Sequence, residues 1–108
     1  MARILIHPGE HLADELQAVG ISANELAKQI RVPTNRLTQI ISGKRGITGD
    51  TALRLGRWFG TTPDLWINLQ KNYELRLAER DMGKELQKIP RHKRDLRQSK
   101  ISELYATV

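Results

Sequence analysis

With 108 residues and 39% hydrophobic side chains, the chain has room for one small domain and an appendage, not for two cores. Eighteen Lys and Arg against 12 Asp and Glu give a net charge of +6, a balance that favours a polyanionic partner such as nucleic acid. The absence of cysteine excludes a disulfide framework and a cysteine-based zinc site. No apolar run approaches the ~20 residues of a membrane span, so the expectation is a cytoplasmic protein with no membrane partner.

The first elements are an arm and a helix. Ile4-Leu5-Ile6 is apolar but too short for more than an arm or a small strand. Pro8 then opens a helix in which Leu12, Leu16 and Val19 keep one side apolar. Glu10, Asp14 and Glu15 lie toward its positive end, and Gly20 stops it. His7 and His11, with Glu10 and Asp14 nearby, suggest a metal site. Divalent ions need three or four converging ligands, however, and His7 precedes the proline, so neither a metal nor a cofactor is expected.

Ser22 followed three residues later by Glu25 is a capping-box start for a second helix, with Leu26, Ala27 and Ile30 on one face. Pro33 disfavours helical geometry at Val32 yet suits the first turn of a new helix, so a third helix is expected from about Pro33 to a stop at Gly43. Leu37, Ile40 and Ile41 form its apolar stripe. Asn35, Gln39 and Ser42, spaced i, i+4, i+7, lie opposite, flanked by Thr34, Arg36 and Thr38.

This outward row contains no carboxylate. Its short amides and hydroxyls suit base edges and phosphates in a major groove. From Arg31 to Arg57 there are six cations and a single acid, Asp50. A plain helical hairpin with a solvated polar face would share the two-helix pattern but would not explain the local charge. The reading is therefore a helix-turn-helix whose second helix enters the groove. Asn35 and Gln39, with Thr34, Arg36 and Thr38, are the candidate base readers, and Ser42, Lys44 and Arg45 the candidate phosphate holders. Two copies on a two-fold axis would meet half-sites ~34 Å apart, which makes the expected operator DNA an inverted repeat.

Thr48 is the expected N-cap of a fourth helix running through Phe59, with Arg54 and Arg57 as further candidates for phosphate contact. Thr61-Thr62-Pro63-Asp64 starts a fifth helix, Pro63 to about Glu79, whose Leu65, Trp66, Leu69 and Tyr73 should close the core. Ile67, Leu75 and Ala78 fall outside that stripe and are the candidate dimer contacts. Met82, Leu86 and Ile89 continue a weak pattern past Gly83 to a break at Pro90. The expected division is a helix-turn-helix DNA-binding domain over 1–89 and a basic C-terminal tail over 90–108, in which Arg91, Lys93, Arg94, Arg97 and Lys100 outnumber Asp95 and Glu103.

Three stretches, HPGEHL from His7 to Leu12, ISGKRGITGDTALRL from Ile41 to Leu55 and FGTTPDLWINLQKNYEL from Phe59 to Leu75, together resemble the HigA-family (VapI-like) antitoxins. These are helix-turn-helix proteins of the Cro and lambda-repressor type. The resemblance covers most of residues 7–89. It implies an all-α, five-helix Cro/lambda-repressor-like domain with a C-terminal helical extension. It also implies a homodimer that neutralises a RelE-like mRNA-cleaving toxin and, alone or with the toxin, represses its own operon. The turn between the motif helices often carries glycine, where this chain has Arg31. Either the turn has another geometry, or Arg31 bears a small strain in exchange for a phosphate contact. The tail after Pro90 lies outside the family pattern. A stand-alone phage- or plasmid-type repressor without a toxin partner is the alternative function. An enzyme acting through His7, His11 and Glu10 is not expected, since the chain has no Ser-His-Asp set, glycine-rich phosphate loop or paired acidic metal motif.

Overall fold

In the computed structural model, residues 5–92 are described. They form α1 (Pro8–Val19), α2 (Ala23–Ile30), α3 (Thr34–Ile41), α4 (Gly49–Phe59) and α5 (Pro63–Met82), followed by a 3-10 segment (Gly83–Lys88). The all-α expectation holds, with no strand among the described residues. Pro33 is the N-cap of α3 and not its first residue, and α5 runs three residues beyond Glu79. The readings made on Ile4 and on the tail from Lys93 onward lie outside the described residues.

Local chemistry accounts for the helix ends. The hydroxyls of Ser22, Thr48 and Thr62 accept from the backbone N–H three residues ahead, at 3.1, 3.4 and 3.3 Å. Each satisfies a donor that the first turn leaves without an intrahelical partner. α1 uses a histidine instead. His7 Nδ1 accepts from the Gly9 N–H at 2.9 Å, and the Glu10 carboxylate reaches back to the His7 N–H at 3.2 Å. The imidazole also lies edge-on to Tyr73, with ring centroids 4.8 Å apart. Partial burial lowers the His7 pKa below its ordinary 6.5, against an opposing pull from Glu10. His7 is thus the cap of a helix, and among the described residues no three His, Asp or Glu converge as metal ligands would.

All five helices feed one core. Leu12, Leu26, Leu37, Ile40 and Leu55 are fully buried, and Trp66 of α5 covers them at 2% exposure. Two expectations fail here: Val19 and Leu65, assigned to apolar faces, are 48% and 45% exposed. Position 9 fixes how closely α1 approaches α3, because a Cβ there would lie 1.9 Å from the Ile40 carbonyl oxygen. Only glycine permits that contact between backbones.

A second close approach holds the loop between α3 and α4. Gln70 of α5 is buried, and its Oε1 accepts the Ile47 N–H at 2.8 Å while its Nε2 donates to Glu74 at 3.0 Å. Gly46 presses on the same carboxamide, since a Cβ there would lie 2.7 Å from Nε2. The long last helix therefore sets the position of the loop that carries Lys44 and Arg45.

Candidate nucleic-acid interface

α3 is short and packs through one apolar face, with Ile41 partly buried against the core. Leu37 and Ile40 are fully buried, which turns Asn35, Thr38 and Ser42 outward as exposed side chains, with Gln39 and Arg36 half-buried beside them. The chain then winds back over the helix end. The Gln39 carbonyl accepts from the N–H groups of Lys44 at 2.8 Å and Arg45 at 3.2 Å and from the Ser42 hydroxyl at 3.1 Å. Both cations stay exposed next to the polar face. At the other end, the Thr34 hydroxyl donates to Asn24 Oδ1 at 2.8 Å, tying the start of α3 to α2. Asn24 did not stand out in the sequence, because only the fold brings it within reach of Thr34.

The turn keeps helical hydrogen bonding through Arg31, which has φ 63 and ψ 49 and is the one non-glycine residue at positive φ among those described. The Val32 N–H returns to the Ala27 carbonyl at 3.0 Å, closing the helix end in the manner usually left to glycine. Of the two turn geometries left open by the sequence, the strained one is present, and its strain is of order 1–2 kcal/mol.

Arg54 supports that turn from α4. Its Nη1 donates to the Ile30 carbonyl at 2.7 Å and reaches the Arg31 carbonyl at 3.4 Å, placing a cation on the negative end of α2. Arg54, one of the two further phosphate candidates, is therefore engaged with the scaffold, and Arg57, the other, remains exposed. Asp50 accepts from both Arg36, at 2.7 Å, and Arg54, at 2.8 Å. The hydrogen bonds from Arg54 and Arg36 hold its carboxyl below the usual range. Arg36 thus leans toward α4 from the face that carries Asn35 and Thr38.

The dimer candidates divide. Ile67 is half-buried against the core of its own chain, whereas Leu75 is 55% exposed and Ala78 is exposed on the same helix. Met82, one turn beyond Ala78, is 39% exposed and extends that strip. No helix among the described residues is long and apolar enough to cross a membrane.

Two short helices joined through a left-handed turn, the second bearing a polar face free of carboxylates, make this a helix-turn-helix protein of the Cro and lambda-repressor type. The family model described as helix-turn-helix matches residues 12–66, and the chain belongs to that family, in its HigA branch. Over 77 residues it is 49% identical to virulence-associated protein I of Dichelobacter nodosus, covering 70% of this chain and 71% of that one. It is similar to an addiction module antidote protein of the HigA family from Coxiella burnetii, with a TM-score of 0.81 and 48% identity over 83% of this chain and 100% of that one. Antitoxin HigA of Pseudomonas aeruginosa, solved with the higBA promoter, matches with a TM-score of 0.77 and 40% identity over 81% of this chain and 97% of that one.

Proposed function

We propose that this chain is a cytoplasmic antitoxin that binds inverted-repeat operator DNA as a homodimer, represses its own operon and neutralises a RelE-like mRNA-cleaving toxin. The observation that carries the DNA-binding reading is the exposed, carboxylate-free row of Asn35, Thr38 and Ser42 on α3, with Lys44 and Arg45 exposed immediately after it. Asn35, Gln39 and Thr38 read base edges. Ser42, Lys44 and Arg45 hold phosphates, and Thr34 positions the start of the helix. The exposed Leu75 and Ala78, with Ile67 at the edge, supply the dimer contact that places two such helices about one DNA turn apart. The similarity to an antidote protein and to an antitoxin solved on its promoter supports the toxin–antitoxin setting.

Binding to the DNA upstream of its own gene, compared with a scrambled duplex, tests the reading. Gln39→Ala should weaken specific binding by about 1–3 kcal/mol and spare the scrambled duplex. Lys44→Ala should weaken both and flatten the salt slope by about one unit. Equal effects of Gln39→Ala on both duplexes would remove that residue from base reading. Co-expression with the product of the neighbouring gene, followed by a ribonuclease assay of the purified complex, tests the toxin. Protection of an inverted repeat without any captured ribonuclease would favour the stand-alone repressor.

A further inference from the structure

The lone acid in the basic stretch from Arg31 to Arg57 is engaged by two of the six cations around it. Asp50 Oδ1 accepts from Arg54 Nε and from Arg36 Nη1. Arg54 has a second anchor on the Ile30 carbonyl, so its place does not depend on Asp50 alone. For Arg36, Asp50 is the one ion-pair partner among the described residues. Arg31, Lys44, Arg45 and Arg57 enter no ion pair among the described residues. Among the described residues the stretch thus presents four cations outside any ion pair and withholds one that sits on the recognition helix itself.

Asp50 is itself 57% exposed, beside a surface that meets polyanionic DNA. A bare carboxylate there repels phosphates, so its presence calls for a compensating role. Phosphate contacts are made to any sequence, and a loosely docked protein can tilt until each free cation finds one. On a cognate site the base contacts fix the register, and an additional mobile cation adds less. A cation kept off the phosphates therefore lowers binding to arbitrary DNA more than binding to the operator.

We propose that Asp50 is a specificity-determining residue: it holds the Arg36 guanidinium against α4, so that this charge stays out of indiscriminate phosphate binding and discrimination rests on Asn35, Thr38 and Gln39. The proposal depends on the DNA-binding reading above, and it assigns Asp50 a positioning role exerted through Arg36.

The experiment measures anisotropy titrations over a salt series for two duplexes, one carrying a site selected by the wild-type protein from a random pool, the other of random sequence. Asp50→Asn should tighten the random duplex about five- to tenfold and steepen its salt slope by about one unit. The selected site should gain less, so the ratio between them falls. Arg36→Ala alone should leave the random-duplex slope unchanged, an unusual result for removing an arginine from a recognition helix. In that background most of the Asp50→Asn gain should vanish, and Asp50→Glu should keep the wild-type ratio. The proposal is overturned if Asp50→Asn leaves slope and ratio unchanged. It is also overturned if the gain persists without Arg36, since the carboxylate would then act by its own repulsion. A slope flattened by Arg36→Ala as much as by Lys44→Ala would do the same, and Arg36→Ala alone decides if Asp50→Asn fails to fold. Failure of the wild type to select any site would overturn the DNA-binding reading instead, and this proposal with it.

Discussion

Gln70→Met isolates the hydrogen bond that holds the α3–α4 loop. Methionine keeps the length of the side chain but can neither accept from the Ile47 N–H nor donate to Glu74. Glu74 is exposed and turns to water, so that loss counts for little. Ile47 is 3% exposed, and its N–H is left buried without an acceptor, which costs about 1–3 kcal/mol. Burying a thioether where a carboxamide sat offsets roughly 0.5–1 kcal/mol of this. A net destabilisation of about 1–2 kcal/mol lowers the melting temperature of a domain this size by about 5–15 °C, readable by circular dichroism. The local signature is faster amide exchange at Ile47, measured well below the melt. With its anchor gone, the loop should also present Lys44 and Arg45 less firmly, weakening DNA binding under conditions where the protein is still folded. A melting temperature within about 2 °C of wild type, with Ile47 exchange unchanged, would refute the assignment of Gln70 as the loop's anchor.

Gly9→Ala should destabilise by about 1–3 kcal/mol in urea titration, because the added methyl group meets backbone that cannot rotate away; an unchanged midpoint would mean that α1 and α3 are free to part. Arg31→Gly should relieve about 1–2 kcal/mol of strain, offset by about 0.4–1 kcal/mol from the freer unfolded chain, for a net gain of up to about 1.6 kcal/mol. The lost charge should weaken binding to all duplexes alike, and a fall in stability would contradict the strain argument. The depressed His7 pKa means that the unfolded chain takes up this proton first as pH falls. The His7 contribution is therefore complete above 6.5 and is lost progressively below it, toward the lower folded value. Replacement by asparagine, a good N-cap that does not titrate, should flatten the pH dependence of urea stability between pH 7.5 and 5.5, as compared with wild type; an unaltered profile would assign that dependence elsewhere.

The helices were legible in the sequence because their signals are local. Ser22, Thr48 and Thr62 cap within three residues, Gly20 and Gly60 end helices at the next residue, and the spacing of Leu26 and Ile30 in α2 and of Leu37 and Ile40 in α3 follows the helical period. What escaped is contact at a distance. Gln70 reads as one polar residue among the many on α5 until Ile47, 23 positions away, is placed against it. Arg54 looks like a surface cation until α2 ends beside it, 24 residues distant. Gly9 carries no turn, and its necessity lies in the backbone of α3. The candidate site was legible in composition and face, while the pairing of Arg36 with Asp50, 14 residues on, required the fold.

The division of labour within α3 bears on how such proteins diversify. Because Leu37, Ile40 and the partly buried Ile41 hold the helix to the core, positions 35, 38 and 42 are free to change with little effect on folding. Related modules sharing one cell can thus drift to different operators and stay insulated from one another. Substitutions at the outward positions would re-address the same scaffold, while Arg36 is tied to Asp50 across the helix boundary.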